Sequence, residues 1–151
     1  MLDGVAIRDT ASIVEGRWTR ERTRMRDGRP EMYFLVTDAD RVLPVYLGGR
    51  SHVLRWSSRR GQSGKLPTAA WAEVETLDRG LWHDLEPVDA VIPASRALDN
   101  DVWYDVREGT RAIVVCDGDS RIVYPLVEPA SHYYRAMTES EWMPCLVRQR
   151  I

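Results

Sequence analysis

Punctuation constrains this chain more than any other feature. Short apolar runs are interrupted again and again by dipeptides that favour tight hairpin turns: Asp27-Gly28, Gly48-Gly49 and the Asp117-Gly118-Asp119-Ser120 stretch. Such dipeptides tolerate the positive φ that two-residue turns require. Between them lie runs suited to strands: Met32 to Val36 (MYFLV), Val42 to Leu47 (VLPVYL), His52 to Trp56 (HVLRW), Ala90 to Ile92, Arg111 to Cys116 (RAIVVC), Arg121 to Val127 (RIVYPLV) and Pro144 to Val147. Asp38-Ala-Asp40 adds another turn. Pro44 marks its strand as an edge or irregular one, and Pro93 closes the strand before it, because proline has no N–H for the ladder. Ser131 to Met137 (SHYYRAM) reads as a short helix. Leu66 to Leu77 is ambiguous: Thr68 is placed to cap a helix closed by Gly80, while Ala72 to Thr76 alternates as a strand does. The expectation is an α+β class, a β-rich, barrel-like domain of about eight to ten short strands with one or two short helices.

With 151 residues and 44% hydrophobic content the chain suits one globular domain over 1–151. The Leu2 to Ile13 region is broken by Asp3, Arg8 and Asp9, so it has neither a signal peptide's apolar core nor a membrane span's length, and a cytoplasmic location is the default expectation. Cys116 and Cys145 form no metal or disulfide framework and are expected to be free thiols with no catalytic role. No nucleotide-binding glycine fingerprint, HExxH or GxSxG is present, and no cofactor or metal is indicated.

Charge is distributed unevenly. From Arg17 to Lys65 there are twelve basic residues against five acidic ones, although the whole chain carries a formal charge of -2. That asymmetry fits a basic face for a polyanion, or an internal match between the two halves. Arg20, Arg22, Arg24 and Arg26 recur with period two, so in a strand spanning Ser12 to Met25 they leave from one face. Phosphate binding and a solvated edge strand both account for such a ladder. Arg55, Trp56, Arg59 and Arg60 set a tryptophan among arginines, which is a stacking platform for unpaired bases if the indole is exposed and a core anchor if it is buried. His52 stands alone. Asp99, Asn100, Asp101 and Asp105 fall in a loop after the Ala90 to Ile92 strand, where a carboxylate serves either chemistry or a turn.

In chain order, PVYLGGRSHVLRW (44 to 56), WAEVETL (71 to 77), VIPA (91 to 94) and WMPCLV (142 to 147) resemble a shortened SOS response-associated peptidase (SRAP) domain. That family has a proline-valine strand leading to Arg-Trp-Gly, then Asn-Ala-Arg-Ala-Glu-Thr, then Val-Pro-Ala ending in Tyr-Glu-Trp, and late in the chain His-x-Arg-Met-Pro. Here Arg55 and Trp56 keep the first motif with Ser57 at its glycine, and Glu75 and Thr76 keep the end of the second with Trp71 at its asparagine and Glu73 at its arginine. Pro93 and Ala94 keep the third, with Asp99 at the family's glutamate, and Met143 and Pro144 keep the last, with Ser140 at its histidine. The match spans roughly Arg41 to Val147.

The resemblance implies a protein related to those that capture abasic sites in single-stranded DNA. In the family a cysteine directly after the initiator methionine supplies an amine for a Schiff base and a thiol that closes a stable ring. This chain has Leu2, so the resemblance implies a degenerate member that keeps a DNA groove without the covalent reaction. The expected partner is single-stranded DNA, held by the basic segment and by Trp56 with Trp71; Asp99 is the candidate for any residual catalysis, and membranes and metals are not expected. The alternative is an accessory or interaction protein of a mobile element, whose charged face meets another protein.

Overall fold

The computed structural model describes residues 2–8, 21–58 and 66–147. In chain order the strands are β1 (Gly4–Ile7), β2 (Thr23–Arg26), β3 (Arg29–Leu35), β4 (Val42–Leu47), β5 (Arg50–Trp56), β6 (Ala72–Glu73), β7 (Val88–Ile92), β8 (Arg96–Asp99), β9 (Val102–Asp105), β10 (Thr110–Asp117), β11 (Ser120–Pro129) and β12 (Trp142–Pro144). Among the described residues there are also two short helices, α1 (Val74–Asp78) and α2 (His132–Thr138), and a 3-10 turn at His83–Leu85.

Five strands close on themselves. β4 pairs β5, β5 pairs β11 in parallel, β11 pairs β10, β10 pairs β7, and β7 returns to β4, so the ring is a five-stranded barrel. β6 and β12 extend β11 beyond the ring. Closure covers β11 on both sides, and Ile122 to Val127 are buried without a break, as the apolar run RIVYPLV requires. The strand β4 also has neighbours on both sides, which corrects the expectation of an edge strand. Pro44 instead leaves it irregular: its ladder to β7 is confined to Tyr46 opposite Val91.

A second, wholly antiparallel sheet runs in the order β2-β3-β1-β8-β9. Its inward residues Val5, Ile7, Met32, Phe34 and Ala97 share one apolar core with Leu43, Val45, Ile92 and Val114 of the barrel. A second core lies on the other side of β10 and β11, where Ile113, Val115, Tyr124 and Leu126 meet Trp82 and Leu66. Alternation along β10 divides its side chains between the two cores, as period two demands.

The turn chemistry is where the dipeptides placed it. Asp27-Gly28 turns β2 into β3 with φ of +51° and +73°, and Gly48-Gly49 turns β4 into β5 with +59° and +76°. Several boundaries differ from expectation. The strand expected over Ser12 to Met25 is limited to Thr23–Arg26 in the described residues, and its earlier part lies outside them. The loop expected after Ala90–Ile92 contains the β8–β9 hairpin, whose turn residues Asn100 and Asp101 both have positive φ. In the ambiguous Leu66 to Leu77 stretch, both readings hold in part: β6 passes directly into α1, with Glu73 at the N-cap in place of Thr68, and Gly80 closes it by donating to the Leu77 carbonyl. The strand β1, central in its sheet, has no turn signal before it. Among the described residues no helix is long and apolar enough to cross a membrane.

Candidate functional site

Alternation along β8 gives the antiparallel sheet two chemically different faces. Ala97 and Asp99 point toward the core, whereas Arg96 and Leu98 point outward. Each face carries a group of polar side chains.

On the inner face, Asp99 is fully buried at the end of β8. Its Oδ2 accepts a 2.6 Å hydrogen bond from the Tyr134 hydroxyl and its Oδ1 accepts one from Ser140 Oγ. The Tyr104 hydroxyl lies 2.9 Å from that of Tyr134, with the two rings edge to face at 5.4 Å. Helix α2 delivers Tyr134. Ser131 caps its start by accepting from the Tyr134 N–H, and Thr138 Oγ1 accepts from the Ser140 N–H beyond its end. Asn100 then ties the β8–β9 turn to that end by donating to the Thr138 carbonyl. Burial, with the Asp99 charge adding to it, pushes the Tyr134 hydroxyl well above the usual phenol range, so it serves as a donor and not as an acid. Burial raises Tyr104 likewise.

The start of the chain comes to the same place. Asp3 donates its N–H to the Leu98 carbonyl and accepts from the Asn100 N–H, while the Leu2 side chain is only 1% exposed in the core. Asp3 and Ser140 therefore bond to the same hairpin, at Leu98, Asn100 and Asp99, although they are remote in sequence. Asp99 itself is engaged on both oxygens and closed off from solvent, so it positions Tyr134 and Ser140. Direct contact with a substrate would require Ser140 to move away first.

On the outer face, Glu31 is buried beneath three arginines. Its Oε1 accepts from Arg96 and from the Tyr33 hydroxyl at 2.7 Å, and its Oε2 lies 3.5 Å from Arg8 Nε and 3.9 Å from Arg26 Nη1. Burial alone would raise the Glu31 carboxyl, but the hydrogen bonds from Arg96 and Tyr33 and the charges of Arg96 and Arg26 outweigh it and hold the group below the usual carboxylate range. Beside this hub, Tyr33 and Trp103 meet edge to face at 5.5 Å. They reach each other across β1 and β8, where the intervening outward residues of β1 are Gly4 and Ala6, too small to hold the rings apart. The Arg96 guanidinium stands 4.7 Å over the Trp103 ring and that of Arg24 stands 5.2 Å over Tyr33.

The residues named from sequence fare unequally. Arg20, Arg59 and Arg60 lie outside the described residues. Arg24 is exposed and Arg26 partly so, as the ladder predicts, but Arg22 leaves the row. It pairs with Asp38, donates to the Asp40 carbonyl and lies 5.0 Å over Phe34, so it braces a turn against the core. The stacking platform at Trp56 is corrected: its indole has 0% exposure and its Nε1 donates to the Ala70 carbonyl at 2.7 Å, the buried alternative. Arg55 is exposed, on the opposite side of β5 from Trp56. Trp71 is half-buried and lines an open cavity of about 310 Å³ with Trp82, Glu73 and Leu81. Asn100 and Asp101 are turn formers. Cys145 is buried, with its thiol pushed up to about 12 by burial and by Glu128, which leaves it a poor nucleophile. Among the described residues no group of three or more His, Cys, Asp or Glu is placed to hold a metal ion.

Sequence reasoning missed Arg8, Glu31, Tyr33, Arg96 and Trp103. The usable signal was the alternation of Glu31 and Tyr33 with Met32 and Phe34, which separates an outward polar pair from an inward apolar one. Comparison with protein-family models, with curated proteins and with solved structures finds no match to the chain.

Proposed function

We propose that this chain is a single-stranded DNA-binding domain of SRAP ancestry that no longer forms the family's covalent adduct. One observation carries the reading: Asp99 and Ser140, the positions that the resemblance pairs with the family's glutamate and histidine, are hydrogen-bonded to each other, and Asp3, next to Leu2 at the cysteine's position, bonds to the same β8–β9 hairpin. Chance similarity of short motifs gives no reason for that convergence. A detail at Ser57 agrees with it. Ser57 stands where the family has glycine, and its φ is +55°, a conformation that glycine adopts without strain.

The lost chemistry follows from the same residues. Leu2 offers no thiol, and its side chain is taken up by the core. A serine in place of an imidazole does not carry a proton near neutral pH, so Ser140 holds Asp99 without assisting sugar opening. What remains for DNA is the surface, where Arg24, Arg29 and Arg55 are exposed and Arg26 is partly so. An electrophoretic shift series with a labelled single-stranded oligonucleotide tests this. If Arg24, Arg26 and Arg29 each neutralise one phosphate, the log-log dependence of affinity on salt has a slope of about -2, from about 0.7 per contact. Substituting all three with alanine flattens it. Absence of any shift at low salt contradicts the reading.

The interaction-protein alternative has one observation in its favour. Met25, a large apolar side chain, is 68% exposed on β2, the terminal strand of its sheet among the described residues. Oligonucleotide binding with no self-association in sedimentation decides for DNA.

A further inference from the structure

We propose that the outer face of the five-stranded sheet is the single-stranded nucleic-acid site, with Arg8 and Arg26 taking a phosphate and the Tyr33–Trp103 pair taking a base. This deepens the DNA-binding reading and rests on it, and it moves the contacts away from Trp56 to residues that no motif marks.

Three observations lead there. The first is charge: Arg8, Arg24, Arg26, Arg29 and Arg96 occupy the face or its edge, against Glu31, Asp27 beside Arg8, and Asp105 opposite Arg96. The surplus is positive. Glu31 lies under the arginines and not above them, because its side chain is 1% exposed while those of Arg8 and Arg26 are 44% and 36% exposed. The carboxylate therefore gathers the guanidiniums and leaves their outer edges toward solvent.

The second is a polar atom without a hydrogen bond. Arg26 Nη1 is desolvated yet makes none, standing 3.9 Å from Glu31 Oε2. A buried donor left this way is unsatisfied, and a small rotation of the partly exposed Arg26 side chain would bring it to a phosphate oxygen at the Arg8–Arg26 edge. The third is the aromatic surface beside it, where the two rings stand edge to face. Tyr33 and Trp103 are half-buried, and the Arg24 and Arg96 guanidiniums already lie on their faces. Bases stack on aromatic rings and on arginine planes alike, so the pair and its guanidiniums form one platform next to the phosphate-seeking edge. An acidic peptide would satisfy the arginines but gives the rings nothing to stack against.

The test is fluorescence anisotropy of labelled fifteen-residue oligo-dT and oligo-U, with wild type, Arg8→Ala/Arg26→Ala, Arg24→Ala and Trp103→Leu, each first checked by thermal melt. The double arginine variant is expected to flatten the salt slope by about 0.7, for the one phosphate that the two arginines share. Trp103→Leu is expected to weaken binding about tenfold to a hundredfold at unchanged slope. Should Trp103→Leu fail to fold, exposed Arg24→Ala carries the test through a smaller loss of affinity. The DNA and RNA arms show which sugar is preferred. Wild-type binding that all the folded variants retain overturns this site and leaves the DNA-binding reading standing. No binding by wild type overturns both, and displacement by polyglutamate as effective as by oligonucleotide shows an acidic-peptide surface instead.

Discussion

Trp56 carries the clearest lesson at the scale of single residues. Its indole fills the core at the end of β5 and satisfies its one donor on the Ala70 carbonyl. Truncation to alanine removes that volume and orphans the carbonyl, so Trp56→Ala is expected to cost about 3 to 5 kcal/mol, read as a lowered thermal midpoint. A folded Trp56→Ala protein of wild-type stability with lost DNA affinity would return the residue to the surface. Sequence left both fates open because a tryptophan at a strand end beside arginines looks the same whichever face the strand turns inward. Parity decided it: Trp56 faces inward and Arg55, one residue earlier, faces out. Arg22 escaped for a related reason. It precedes β2, so the period that holds for Arg24 and Arg26 no longer governs it, and Asp38 captures it.

At the scale of elements, Glu31 ties four strands or their ends together, since Arg8 follows β1, Arg26 ends β2, Arg96 begins β8 and Glu31 itself lies in β3. Its carboxyl is held below the ordinary range in the folded protein. A group with a lowered folded pKa contributes stability in full above its unfolded value, about 4.3, and loses it as pH falls from there through the folded value. Glu31→Gln leaves a buried guanidinium unpaired and is expected to cost about 3 to 5 kcal/mol at neutral pH. In urea denaturation from pH 7 to pH 3, that deficit should narrow only below about pH 4.3, where wild type begins to lose the same charge. A gap that stays constant through the acid range would show that the carboxylate charge adds nothing. The hairpins of this sheet were legible because Asp27-Gly28 announces itself. Those of β8 and β9 were not, because Asn100-Asp101 sits among other aspartates that read equally well as an extended loop.

At the scale of the whole molecule, one antiparallel sheet separates two groups of polar side chains by the alternation of its residues. The inner face holds Asp99, bonded to Tyr134 and Ser140, and the outer face holds the arginines around Glu31 with Tyr33 and Trp103. The barrel class was legible from strand length and turn spacing. Closure was not, because the parallel pairing of β5 with β11 joins strands far apart in the chain and leaves no local trace. Nor does sequence spacing reveal that Asp3 and Ser140 both bond to the β8–β9 hairpin.

The central proposal is that the chain binds single-stranded DNA without forming a covalent adduct. It is tested most directly with one labelled single-stranded oligonucleotide carrying a single abasic site, incubated with the protein and divided between a native gel and denaturing gels run with and without borohydride. The account predicts a shifted band on the native gel and no heat-stable adduct without borohydride, because Leu2 supplies no thiol to close a ring and Cys145 is buried with its thiol protonated. An adduct trapped only by borohydride is the reversible product that an amine alone can form. A heat-stable adduct without borohydride, or no shift on the native gel, would contradict it.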